Sequence, residues 1–174
     1  MRQSLLPKTH SLITESMCNV SLCAFKMGQR GRALKLMKEA LHLRRRSGDL
    51  AGTIDCSIML ADMYGRDVHL YGKALALLRE SLGMLQDVKE DDHYGFASIM
   101  HKIARLHFAN MKYDKAKSWA ERAIGMCNTK SSSLTRAYIF AIEMDLKLID
   151  ARLEAKRLYQ ERLDLAKRLA EGWA

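Results

Sequence analysis

The sequence predicts an all-α fold assembled from helix hairpins, and three observations carry the prediction. Leu, Ala, Met, Lys, Arg and Glu dominate the 174 residues, while only Pro7 and ten glycines can break a helix. Small residues return at a near-constant interval: Ala33, Ala74, Ala116 and Ala155 are separated by 41, 42 and 39 residues. Turn-forming residues fall between these positions rather than through them. With 48% apolar residues the chain is long and hydrophobic enough to bury a core.

The elements follow in order. A helix over 9–27 holds "NVSLCAF", with Val20, Ser21 and Ala24 as a large–small–bulky set. Gly28 and Gly31 bracket the next turn. The helix over 31–46, "RGRALKLMKEALHL", places Ala33 and Ala40 on one face, with Leu41 beside them. Gly48-Asp49 then separates the next unit. "IMLADMY" supplies Leu60, Ala61 and Tyr64 to a helix over 50–65, and "YGKALALLRESLGM" supplies Tyr71, Ala74, Ser81 and Leu82 to one over 71–88. The turn after Tyr64 is one residue longer, so this hairpin should be slightly distorted.

After Asp91-Asp92, "HKIARLH" (Ile103, Ala104, His107) marks a helix over 93–109. Asn110 suits a left-handed cap and Asp114 an N-cap for the helix over 114–127. In that helix, "YDKAKSWAERAIGM", Ala116, Ala120 and Ala123 share one face, which lets another backbone approach closely. "TKSSS" (129–133) separates the last unit. "FAIEMDL" (Ile142, Glu143, Leu146) gives a helix over 132–149, and "ARLEAKRLYQERLDL" (Ala155, Tyr159, Leu163) one over 151–171. The expectation is eight helices in one domain, with hairpin units at about 9–47, 49–88, 92–128 and 131–171.

These motifs resemble the tetratricopeptide (TPR) repeat: a large–small–bulky triplet on the first helix, a glycine or asparagine turn, and an alanine ladder on the second. The resemblance covers residues 14–165, with the third copy nearest the pattern and the fourth farthest. The family's tryptophan, glycine and closing proline are mostly missing, and the period exceeds the usual ~34 residues. Repeats of this longer kind resemble those of kinesin light chains, Pins-type polarity adaptors, rapsyn and the fifth subunit of the anaphase-promoting complex. The resemblance implies a right-handed α-solenoid whose first helices line a concave inner face.

Charge divides the chain. Residues 26–46 carry eight basic side chains against Glu39, a net of +7, whereas 49–92 hold four basic and nine acidic ones, a net of −5, within a total of +9. The four cysteines, Cys18, Cys23, Cys56 and Cys127, form no CxxC pair and read as reduced thiols of a cytoplasmic or nuclear protein. Residues 1–25 lack a signal peptide's apolar centre. No apolar run approaches the ~18 residues of a membrane span.

Catalytic chemistry finds no residues. The chain has no phosphate-cradling glycine loop, GxSxG or HExxH motif, and Glu90, Asp91 and Asp92 read as a solvated turn. His101 and His107 stand six apart, on different sides of a helix, and Cys18 and Cys23 have no histidine partner, so neither pair suits a metal. His107, at the bulky triplet position, reads as a core histidine. No enzyme activity, cofactor or metal site is expected.

What the resemblance implies instead is a protein-interaction module, an adaptor or scaffold holding a partner peptide or helix. The inward positions are Glu15 and Phe25 in the first unit, then Asp55, Asp62 and Arg66. Ser98, His101, Arg105 and Phe108 follow in the third unit, and Phe140 and Lys147 in the fourth. Leu22 also falls here, as do Cys18, Ile58 and Met144, which suit contacts between units. The chaperone-binding members carry a lysine–asparagine clamp for a C-terminal carboxylate. Cys18, Leu22 and Met59 stand at its positions, and only Arg105 matches.

An alternative is nucleic-acid binding through residues 26–46, ending in Arg44, Arg45 and Arg46. Those arginines also offset a helix dipole, and residues 28–63 hold no aromatic for base stacking. In the last helix, Ala151, Ala155, Leu158, Leu165 and Leu169 form one apolar stripe and Tyr159, Leu163, Ala166 and Ala170 a second. With Trp173 nearby, this pattern suggests a longer solenoid, an assembly contact or a second copy.

Overall fold

Seven α-helices form among the residues that the computed structural model describes, 11–88, 92–128 and 133–171. They are α1 (Ser11–Lys26), α2 (Arg30–Ser47), α3 (Leu50–Tyr64), α4 (Tyr71–Val88), α5 (His93–Ala109), α6 (Tyr113–Asn128) and α7 (Ser133–Glu171). Each helix packs mainly on the next. The tightest pairs are α1/α2, α3/α4 and α5/α6, and α1 also approaches α3 as α5 approaches α7. A 3₁₀ turn, Val68–Leu70, takes up the extra residue before α4.

Small residues make the close approaches. Ala33, Ala74 and Ala116 are each 0% exposed, as are Ala40, Ser81, Ala120 and Ala123 on the same three helices. Across the first hairpin the Ser21 hydroxyl donates to the carbonyl of Ala33 at 2.7 Å, a direct side-chain-to-backbone contact between the two helices. Ala61 and Ala104 occupy the corresponding triplet positions and are buried too.

The corners are built alike. Gly48 is left-handed (φ 72°), and Gly48 N–H and Asp49 N–H return to the carbonyls of Arg45 and Arg44, closing α2. Asp49 then caps α3 by accepting from Gly52 N–H at 2.9 Å, and Asp92 caps α5 from Gly95 N–H at the same distance. A Cβ on Gly95 would stand 2.8 Å from the Asp92 carboxylate, so a larger residue there would make the capping side chain shift.

The α5–α6 turn corrects two expectations. Asn110 has φ −100°, and the left-handed residue is Met111 at φ 56°. Lys112 N–H reaches the His107 carbonyl, as Gln29 N–H reaches Ala24 in the first hairpin. Met111 thus stands where the first hairpin has Gly28, also left-handed. Asp114 lies in the first turn of α6, favourable to the dipole but not its cap.

The eight-helix expectation is also corrected. No turn follows Ile149: α7 runs 39 residues, about 58 Å, straight through the expected break. "LKLIDARLEAK" contains no glycine, proline or asparagine, so nothing stops propagation. The fourth unit, 131–171, is therefore not a hairpin. The N-terminal half of α7 buries Ile142 and Ile149 against α5 and α6, while Ala155 and most of the distal half are exposed.

Candidate functional site

The first helices of successive units stand side by side and are tied by charge. Arg66, in the turn after α3, lies over the Phe25 ring of α1 at 5.4 Å. Asp62 of α3 pairs with Lys102 of α5 at 2.7 Å, and Arg105 of α5 stands 3.7 Å from Asp145 of α7. Two depressions open along this row. One, of about 400 Å³, is lined by Ala61, Asp62, Arg66, Lys102, Arg105 and Leu106 among others. The other, of about 250 Å³, lies between α5, α6 and α7 and is lined by Phe108, Ala120, Leu148 and Ile149 together with Ala104 and Arg105.

Arg105 belongs to both walls, and its side chain is 72% exposed. The first depression carries three cations against one acid. The Asp62–Lys102 pair leaves Arg66 and Arg105 as its other charges, with Arg105 also 3.7 Å from Asp145 in the wall of the second depression. The second is mainly apolar. Together they offer a cationic seat beside a hydrophobic one, joined by one guanidinium.

Of the remaining inward positions, Glu15, Asp55 and Lys147 are exposed, and Phe140 is exposed at 63%. Phe108 is half-buried, its ring 5.5 Å from Tyr113. His101 is engaged within the fold. It is buried, with Nε2 2.8 Å from Asp145 and Nδ1 3.1 Å from the Tyr138 hydroxyl, so both ring nitrogens are spent on fastening α7 to α5, while the residue still lines the second depression. Burial holds its pKa below the ordinary histidine value, with Asp145 opposing and Arg105 and Lys102 adding. Tyr138 is pushed up to about 12 by burial, against a hydrogen bond with Ser98, which draws half-buried Ser98 into the same seam.

Half of the eight basic side chains of residues 26–46 are engaged with the neighbouring unit. Arg30 pairs with Asp67 at 3.2 Å, Arg44 with Asp49, and Arg45 with both Glu80 oxygens at 2.7 and 2.8 Å; Lys38 stands over Tyr64. The +7 segment thus meets the −5 segment across the first inter-unit seam, while Arg46 remains exposed. His107 is buried as expected. Its Nδ1 meets the Tyr71 hydroxyl at 2.8 Å, and burial, with Lys115, Lys112 and Arg79, lowers its pKa to about 4.

Two participants were not visible in the sequence. Lys102 and Asp145 stand beside the repeat positions rather than on them, and only the packing of α3, α5 and α7 brings their partners near. Glu90, Asp91 and Trp173 lie outside the described residues. Among the described residues, no three His, Cys, Asp or Glu side chains could hold a metal. No helix there is long and apolar enough to cross a membrane.

No family profile matches the chain, and no curated protein matches its sequence. Solved structures do match. The nearly identical TPR-like repeats assigned to a kinesin light chain of Podosopora anserina superpose with a TM-score of 0.63 at 16% identity, over 93% of this chain and 82% of that one. BtubC (BKLC) from P. vanneervenii gives 0.63 at 14% identity over 88% and 65%, and the apo form of RapI 0.59 at 18% over 87% and 57%. The chain spans under two thirds of the length of the last two. At these identities the likeness is one of fold, and the fold is that of the TPR-like repeat proteins.

Proposed function

We propose that the chain is a non-enzymatic protein-interaction module, an adaptor or scaffold whose first helices form the concave face of a right-handed solenoid. A peptide or helix of a partner protein lies across α3, α5 and the start of α7. The observation that carries this reading is Arg105, exposed and shared by the cationic and apolar depressions. Its chemistry selects a segment with a carboxylate next to a bulky apolar side chain. Phe25, Asp62, Arg66 and Phe108 shape the seat, and Glu15, Asp55, Phe140 and Lys147 extend it. The distal half of α7, with Leu158, Tyr159, Leu165 and Leu169 exposed, is open to a second copy or a larger assembly. Four free thiols suit the cytoplasm or nucleus.

A displayed peptide library tests the reading. Wild-type protein should enrich acidic–apolar segments, and Arg105→Glu should weaken their binding about tenfold or more. Reversing Arg44, Arg45 and Arg46 should leave that binding intact. If no segment is enriched, and the protein instead binds RNA with a steep salt dependence that the triple reversal removes, the basic helix is the functional surface and this reading fails.

A further inference from the structure

The contact of Cys18 with Cys56 has no part in the peptide-binding reading. Cys18 lies on α1 and Cys56 on α3, 38 residues apart in sequence, yet their sulfurs are 3.3 Å apart and both residues are buried. That is closer than the roughly 3.5–4.0 Å at which apolar carbons pack, and the surroundings are not neutral. The Arg44 guanidinium, held beside Asp49, acts on both sulfurs. The hydrogen bond with Cys56 draws the Cys18 thiol below its ordinary range, with Arg44 assisting and burial, Asp55 and Glu15 opposing. The same bond, with burial, pushes the Cys56 thiol up. The two thiols share one hydrogen bond in which either sulfur can donate, and Arg44 favours negative charge on the pair. Cys127, whose thiol burial alone pushes up, has no such arrangement.

We propose that Cys18 and Cys56 are an oxidation site, a dithiol that hydrogen peroxide converts into a disulfide joining the first and second hairpins. The Cys18 thiolate attacks one peroxide oxygen, the O–O bond breaks and hydroxide leaves, giving a sulfenic acid on Cys18. Cys56 sulfur then attacks Cys18 sulfur, its proton leaving with the displaced hydroxide as water. Two thiols lose two electrons and peroxide becomes two waters. The sulfurs close by on the order of 1 Å, a shift that side-chain rotation supplies. The product fixes the spacing of α1 and α3.

The test uses the reduced, folded chain and one equivalent of hydrogen peroxide, followed by mass spectrometry of the intact protein and its peptides. The intact mass should fall by two hydrogens, the Cys18 peptide should be linked to the Cys56 peptide, and Cys127 should remain a thiol. The melting temperature should rise by about 5–10 °C and return on reduction. With Cys56→Ala, the linkage should vanish and dimedone should trap a sulfenic acid at Cys18. Exposed Cys23 reacting first while Cys18 and Cys56 remain alkylatable after unfolding would overturn the proposal. So would overoxidation of Cys18 without linkage in the wild-type chain.

Discussion

The helices up to Ile149 and the distal half of α7 carry the same kind of sequence and meet different fates. Both have alanine at repeat spacing and large residues flanking it. Ala33, Ala74 and Ala116 are wholly buried because a partner helix comes back across each of them. Ala155 has the same local context and is exposed, because no turn returns the chain over it. Ion pairs divide the same way: through Asp150 they link successive units, and beyond it they lie within α7 itself, Arg157 with Glu154 and Glu161. A small residue on a helix is permission for close packing, and the turn decides whether the permission is used.

The largest effect should come from filling that face. Ala116→Leu adds three heavy side-chain atoms where a helix already lies in contact, and should cost about 2–3 kcal/mol in urea unfolding. Ala155→Leu should change stability by less than about 0.5 kcal/mol, since its face is open. Equal costs at the two sites would mean that the distal half of α7 is covered in solution. A concentration-dependent transition would then identify a second copy as the cover.

The legible part of the fold is the part that repeats. Three hairpins could be read because Ala33, Ala74 and Ala116 recur in phase with their triplets, and burial follows from that phase. The failure at α7 has a definite cause: the weakened fourth copy suggested a hairpin, while the absence of any breaker between Leu146 and Lys156 pointed to one helix, and local propensity prevailed. At Met111 the opposite happened. A residue with no left-handed preference is held at φ 56° because the Lys112–His107 hydrogen bond and the packing of α5 on α6 demand it. On the candidate face, Arg105 was legible as a charge without a packing reason. The burial of His101 was not, because Tyr138 and Asp145 reach it from a helix some forty residues away.

Acid should act on the two regions unequally. His107 titrates at about 4 in the folded chain, below the ~6.5 of an unfolded one, so unfolding takes up its proton first. Its contribution to stability is complete above pH ~6.5 and is lost as pH falls from there to about 4. His107→Phe should flatten that part of the stability–pH curve relative to wild type. Some slope should persist, because His101 is shifted in the same direction. The distal half of α7 contains no histidine, and its helicity should not follow this titration. An unchanged slope in the variant would place the acid-sensitive group elsewhere.

The smallest effect concerns charge. Arg45 meets both oxygens of Glu80 across a seam between units, whereas Arg157 reaches Glu161 at 3.5 Å along its own helix. Double-mutant cycles should give a coupling of about 0.5–1 kcal/mol for the first pair and about 0.2–0.5 for the second, both shrinking as salt is added. The values are modest because all four side chains are well solvated. Their order matters more than their size. The basic segment before Ser47 and the acidic segment after it face each other only when the second hairpin stacks on the first, so a wrong neighbour would set like charges together. Were the within-helix pair the stronger, the uneven charge of this chain would serve its separate helices, and the order of its units would have to be specified by packing alone.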